Sequence, residues 1–107
     1  MSKIEDEIRE AIWIILSTAK GERVMHPDFG CGIHDLVFRT VDLETLKLAE
    51  IAVREALMNN EPRIEVVNVS VSAEGQEGRL LISIDYRVRQ TDNIFRIVWS
   101  FCLGEGQ

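Results

Sequence analysis

Side chains that could bind a metal or act as a nucleophile are concentrated in residues 21–38. Structural zinc sites need four converging ligands, usually in tightly spaced pairs, and this cluster lacks that spacing. Cys31 and His34 are three residues apart, but no third group is in position to orient the histidine. We therefore interpret Cys31 as a buried thiol and the histidines as surface or loop-bracing residues, and we predict no metal, no cofactor and no catalytic residue. The cluster comprises His26, Asp28, Cys31, His34 and Asp35.

A charged tripeptide, Glu61-Pro62-Arg63, directly follows the clearest helical pattern of the chain. Proline disfavours helical backbone angles in the residue before it, so the helix must end near Glu61. The tripeptide is predicted to form a stiff corner that places two opposite charges at a fixed point on the surface. A guanidinium held in this way has the geometry to bind a carboxylate of another protein. We predict a docking site at Glu61, Pro62 and Arg63.

The one cationic feature of the predicted strands is formed by Arg79, Arg87, Arg89 and Arg96. Arg87 and Arg89 alternate with apolar residues in a predicted strand, and Arg96 lies in the next strand. One interpretation is a solvated sheet face balanced by Asp85; the other is a surface that contacts an acidic neighbour. The residues alone support both interpretations equally.

The composition is that of a soluble globular protein and fits one domain over residues 1–107, with residues 104–107 predicted to form a disordered tail. The formal net charge of −6 argues against binding to nucleic acid or to an anionic membrane. No apolar run is long enough to span a bilayer, and the run at residues 11–16 follows acidic rather than basic residues. We expect synthesis in the cytoplasm, with Cys31 and Cys102 reduced.

Two helices are predicted before residue 61. Ser2 and Glu5 form a capping box, which opens a helix at about Lys3 whose polar side, including Glu5, faces water. Asp42 is predicted to cap the second helix. Glycines, Pro27 and apolar residues predict that the intervening loop is structured. The apolar loop residues are Val24, Met25, Phe29, Ile33, Leu36, Val37 and Phe38, and the apolar stripe of the second helix comprises Leu46, Ala49, Val53, Ala56 and Leu57.

After residue 63 the apolar period changes to two, which predicts three strands joined by short turns at residues 74–78 and 91–93. Short turns indicate an antiparallel meander, and a single apolar face indicates helices on one side only. The predicted fold is α+β: two main helices and a structured Gly/Pro loop packed on one face of a three-stranded antiparallel sheet. The predicted inner rows are Val67, Val69 and Val71; Leu80, Ile82, Ile84, Tyr86 and Val88; and Phe95, Ile97, Trp99, Phe101 and Leu103.

Residues 18–30 (TAKGERVMHPDFG), residues 36–38 and the Glu61-Pro62-Arg63 corner before a three-strand meander resemble the small baseplate-wedge proteins of contractile phage tails. Relatives of that family occur in type VI secretion baseplates and extracellular contractile injection systems. The resemblance covers about residues 8–103. It leaves open which of these particles the chain belongs to.

The resemblance implies a structural subunit whose corner docks on a helical bundle of other wedge subunits. It also implies that an edge of the sheet accepts strands from the first ring of sheath protein, although either edge is possible. It favours Arg87 and Arg89 as contact residues. Self-association of the isolated subunit, through the surface meant for its partner, is a further expectation.

The family was long catalogued as tail-associated acidic lysozymes, so the resemblance also implies an alternative function as a small muramidase. Glycoside hydrolysis requires two carboxylates across a sugar cleft, one of them with a raised pKa. Glu22 and Asp28 are the candidate pair. Trp13 and Trp99 lie in apolar runs that predict core or interface positions rather than a sugar platform. We expect a protein without enzymatic activity.

Overall fold

The computed structural model describes residues 2–21, 25, 27–75 and 78–103. Two α-helices, α1 (Lys3–Ser17) and α2 (Leu43–Asn60), flank a short 3-10 helix (Gly32–Leu36). Three strands follow: β1 (Ile64–Glu74), β2 (Arg79–Val88) and β3 (Ile94–Cys102). They form an antiparallel sheet in the order β1-β2-β3, and the helices pack against one of its faces, which confirms the predicted α+β fold.

Both helices begin where their capping residues predict. Ser2 Oγ accepts a hydrogen bond from the backbone N–H of Glu5 at 3.3 Å, and Ser2 N donates to Glu5 Oε1 at 3.0 Å. At the second helix, Asp42 Oδ1 accepts a bond from Thr45 N at 2.8 Å. These local bonds satisfy N–H groups that have no partner within the helix, which is why the sequence alone can locate them.

The core forms between the helices and the inner face of the sheet. Every second residue of β2 is buried, as expected for the central strand of a sheet covered on one side. Of the predicted α2 stripe, Leu46 is half-buried and the other residues are buried, whereas Ile51 remains 45% exposed. No described helix is both long and apolar enough to cross a membrane. The buried apolar residues of the two α-helices are Ile8, Ile12, Ile15, Leu16, Ala49, Val53, Ala56 and Leu57.

The prediction for β1 is wrong at one position. Val66 is opposite Tyr86 and Asn68 is opposite Asp85, so the register shifts and Val67 has no residue directly opposite. An extra residue of this kind is a β-bulge, which changes the face to which neighbouring side chains point. Val67 is accordingly 49% exposed, while Val66 packs against the core.

The loop after α1 is held to the body of the protein at Gly30 and Cys31. Cys31 N donates to Thr18 O at 2.8 Å, and Cys31 and Ile33 are fully buried. Gly30 has φ +117°, and a Cβ there would lie 2.5 Å from Thr18 O. The prediction of a structured loop is thus confirmed for these residues. It is wrong for two proposed anchors: Met25 and Phe38 are each 83% exposed. Val24 lies outside the described residues.

Candidate docking surface

The Glu61-Pro62-Arg63 corner connects α2 to β1 and is held together by an ion pair. Glu61 caps α2 through its backbone N–H, which donates to Leu57 O at 2.9 Å. Arg63 Nε donates to Glu61 Oε2 at 2.8 Å and Arg63 Nη2 donates to Glu61 Oε1 at 2.9 Å. The backbone N–H of Arg63 also donates to Glu61 Oε2, at 3.1 Å. The carboxylate is therefore bound by three donors of one residue.

The prediction that the corner displays two opposite charges is wrong for Glu61, which is only 3% exposed. Burial by itself would raise the pKa of Glu61, but the hydrogen bonds from Arg63 and its charge outweigh this effect and lower the pKa. The same bonds raise the pKa of Arg63. Glu61 is thus an internal counter-ion. What the corner presents to solvent is the Pro62 ring and the Arg63 side chain, which is 43% exposed.

Arg89 braces this corner from the end of β2. Its backbone N–H donates to Arg63 O at 3.0 Å, and its Nε is 3.2 Å from both Pro62 O and Ile64 O. Arg89 thereby contacts two other predicted site residues, Pro62 and Arg63, at their backbone carbonyls. A shallow hollow adjoins the corner, with Met58 and Val66 among its lining residues. The sequence does not show this contact because Arg89 is more than twenty residues from its partners.

Arg87 lies on the outer face of the sheet, away from the helices, and its environment differs from that of Arg89. Its Nε donates to Glu65 Oε1 at 2.9 Å, and its Nη1 is bonded to Asp92. These two carboxylates raise the pKa of Arg87. On the same face Arg96 Nε donates to Asp85 Oδ1 at 2.7 Å. The interpretation of a sheet face with balanced charges holds for Arg87 and Arg96, although Asp85 balances Arg96 and not Arg87.

Sequence reasoning missed a buried carboxylate at the start of α1. Glu5, predicted to face water, is 3% exposed, and its Oε2 accepts hydrogen bonds from Thr91 Oγ1 and from Asn93 Nδ2. The backbone of Ser2, followed by Thr91 and Asn93, lowers the pKa of Glu5 to about 2. The contact joins the first turn of α1 to the β2–β3 turn. Its only local signal was the capping box, which does not reveal partners more than eighty residues away.

The cysteine and histidine of the loop have structural partners. His34 Nε2 is hydrogen-bonded to Leu16 O at 2.8 Å, and Cys31 Sγ donates to Ala52 O at 3.6 Å. Burial raises the pKa of the Cys31 thiol to about 11, which makes it a poor nucleophile at neutral pH. His26 lies outside the described residues, and within the described ranges no group of three or more Cys, His, Asp or Glu side chains is placed to bind a metal ion.

The described carboxyls whose pKa is shifted do not have the environment of a glycosidase general acid. Each described carboxyl whose pKa is shifted has it lowered, whereas a general acid needs a raised pKa. Asp28 is exposed, and Glu22 lies outside the described residues. Both tryptophans pack against the core, and Trp99 also lies edge-on to His34 with ring centroids 6.4 Å apart.

Known proteins share both the sequence pattern and this architecture. The chain is 31% identical over 81 residues to the baseplate wedge protein gp25 of Enterobacteria phage T4, in a match that covers 76% of this chain and 61% of the relative. It therefore spans less than two thirds of that relative's length. A protein from Geobacter sulfurreducens, whose crystal structure is described as that of a candidate tail lysozyme, is 55% identical, with a TM-score of 0.88 over 100% of this chain and 97% of that one.

A chain in the baseplate complex from the type VI secretion system has the same fold at 14% identity, with a TM-score of 0.75 over 94% of each chain. Residues 2–93 match the profile of a protein family described as baseplate wedge protein gp25. Because that match spans most of the chain and includes the Glu61-Pro62-Arg63 corner, this chain belongs to the baseplate wedge protein gp25 family.

Proposed function

We propose that this protein is a structural subunit of the baseplate wedge of a contractile tail or injection system, made in the cytoplasm, and that it joins other wedge subunits to the sheath. The observation that carries the proposal is the Glu61-Pro62-Arg63 corner. It is an internally satisfied charge pair in which the Glu61 carboxylate is buried and the Arg63 side chain reaches the surface.

Docking at the corner would use the exposed side of Arg63 and the ring of Pro62. The guanidinium fork of Arg63 already binds Glu61, so a carboxylate of the partner would approach the Nη1 edge. Arg89 positions the corner through the carbonyls of Pro62 and Ile64. Because these groups are already ordered in the free protein, binding would lose little side-chain entropy. We propose Arg87 as a further contact residue, on the outer face of the sheet, where its side chain is 30% exposed and bound to Glu65 and Asp92.

Strand addition at β3 is the second part of the proposed role. The strand order leaves β1 and β3 as edges, and α2 packs against β1. A regular edge accepts an extended segment of another chain through backbone hydrogen bonds. We therefore place incoming sheath strands at β3.

The test is affinity capture from the native host with tagged protein, read by mass spectrometry. Wild type is expected to recover the other wedge subunits and the sheath protein. Arg63→Lys keeps the charge but loses the fork, and it should reduce recovery of the wedge subunits about tenfold. Arg54→Lys is the matched control, since Arg54 forms an ion pair with Glu50 on α2 at a similar exposure.

Thermal unfolding of each variant shows whether reduced capture comes from a weaker docking contact or from a destabilised fold. Pro62→Ala provides a second corner variant in which the ion pair remains intact, and it should also weaken capture. If both corner variants recover as much of the wedge subunits as wild type does, the docking site is wrong. If the wild-type sample contains neither wedge nor sheath subunits, the proposed function is wrong.

A further inference from the structure

We propose that the isolated subunit forms a two-fold symmetric dimer in which β3 pairs antiparallel with β3 of a second copy, centred on Val98. The dimer does not depend on the proposed baseplate role, because it concerns the purified protein alone. It rests on three properties of β3: its free backbone groups, its lack of protection and a register without like-charge contacts.

The outward edge of β3 carries unpaired backbone groups. Val88 N donates to Asn93 O at one end of the β2–β3 pair, and Leu103 N donates to Gly78 O at the other. Hydrogen bonds alternate along an antiparallel pair, so odd-numbered residues of β3 face β2. The even-numbered residues direct N–H and C=O outward, and within the described ranges these groups have no partner. The outward residues are Ile94, Arg96, Val98, Ser100 and Cys102.

The two edge strands of the sheet differ in how well they are protected against pairing with a strand of another chain. β1 contains the bulge at Val67, which distorts the edge, and α2 packs against this strand. The register of β3 is regular throughout, and the strand contains no proline, glycine or lysine, the residues that commonly block edges. Its one charged residue, Arg96, is bound to Asp85. Ile94 is 61% exposed and Val98 is 51% exposed on the outer face.

Antiparallel pairing about Val98 brings all the outward backbone groups of both copies into hydrogen-bonded positions. Val98 then lies opposite the partner's Val98, and Arg96 lies opposite the partner's Ser100. Moving the centre to Arg96 would instead place two arginines opposite each other, which is unfavourable. A two-fold axis at Val98 uses the same patch on both copies, as an isologous interface requires.

The inner face of the sheet supports the same register. Phe95 would lie opposite the partner's Phe101, and Ile97 opposite the partner's Trp99. Aromatic and branched side chains are favourable cross-strand neighbours. A shift by one residue would exchange the inner and outer faces, so the burial pattern of β3 excludes it.

The dimer would also cover the edge at which we place the incoming sheath strands. If that proposed function holds, the dimer and the sheath-bound subunit exclude each other. The dimer would then keep free subunits from pairing with extended segments before a wedge forms.

Sedimentation of the protein over a range of concentrations tests the dimer. Wild type should show reversible dimerisation. Val98→Lys and Val98→Glu should each weaken it about tenfold or more, because like charges then meet at the two-fold axis. An equimolar mixture of the two variants should restore a dimer, because opposite charges then meet there. Ser70→Lys, at an exposed position of β1, is the control and should dimerise like wild type.

Disulfide formation tests the register. Position 94 lies opposite the partner's Cys102, so Ile94→Cys should yield a covalent dimer under mild oxidation, and adding Cys102→Ser should abolish it. A wild type that stays monomeric at every concentration, or a dimer broken by Ser70→Lys but not by Val98→Lys, would overturn the proposal. Circular dichroism of each variant verifies that it is folded. None of these readouts involves a baseplate partner, so their failure is separate from failure of the proposed function.

Discussion

The guanidinium of Arg63 binds both carboxylate oxygens of Glu61, two residues earlier in the chain, and covers a carboxylate that is almost fully buried. The pair fixes the direction in which the chain leaves α2 and enters β1. Its two members are unequal: Arg63 reaches solvent, whereas Glu61 depends on Arg63 for its counter-charge.

Removing Arg63 should therefore destabilise the fold as well as the docking surface. Arg63→Ala leaves the Glu61 carboxylate buried without its donors, and we expect a loss of about 1–3 kcal/mol in the free energy of unfolding. Adding Glu61→Gln should recover part of that loss, because a neutral amide costs less to bury than a carboxylate. Urea unfolding measures the free energy of unfolding of the single and the double variant. Arg54→Ala, which breaks an exposed pair, should change stability by less than about 1 kcal/mol; an equal loss at both arginines would contradict this account.

Glu5 should make stability depend on acidity. Its pKa falls from the ordinary 4.5 to about 2 in the folded protein. The stabilisation is therefore fully present above about pH 4.5 and is lost as the pH falls towards 2. The difference in Tm between wild type and Glu5→Gln should accordingly be largest near neutral pH and shrink across that interval. Glu10→Gln, at an exposed position, serves as the control. A difference in Tm between wild type and Glu5→Gln that stays constant with pH would disprove the proposed role of Glu5.

Two glycines allow backbone strain to be separated from steric overlap. Gly21 and Gly30 both have positive φ, but a Cβ on Gly21 would have no atom within 4 Å, whereas one on Gly30 would overlap Thr18 O. We expect Gly21→Ala to cost about 1 kcal/mol. Gly30→Ala should cost about 3 kcal/mol or more, because strain and overlap add. Chemical denaturation of the two variants gives the comparison, and similar losses would show that the loop moves to accommodate the methyl group.

Tyr86 carries a buried hydroxyl that has no hydrogen-bond partner among the described residues. Tyr86→Phe removes this group and keeps the ring, so the free energy of unfolding should stay the same or rise by about 1 kcal/mol. Tyr86→Leu, which also removes ring volume, should destabilise the protein. A clear loss of stability in Tyr86→Phe would indicate that the hydroxyl has a partner in solution.

Local patterns predicted the helix starts and the central strand because their causes are local. Ser2 and Asp42 bond to residues three positions away, and β2 is buried on one face along its whole length. The inward turn of Glu61 and the contacts of Glu5 could not be predicted, since they depend on how distant elements pack. The position of Val67 was missed because a bulge is set by pairing with the neighbouring strand and leaves the alternation of valines unchanged.

We expect no peptidoglycan hydrolysis by the purified protein. Among the described residues, every carboxyl with a shifted pKa has it lowered, whereas a glycosidase general acid needs a raised pKa, and Asp28 is exposed to solvent. A turbidity assay on cell walls, with hen egg-white lysozyme as the positive control, measures this directly. Any trace of activity should be the same in Glu22→Gln and Asp28→Asn as in wild type, which would identify it as a contaminant. Robust hydrolysis by wild type that either variant abolishes would instead establish a muramidase and assign the acid and its partner carboxylate to residues 22 and 28.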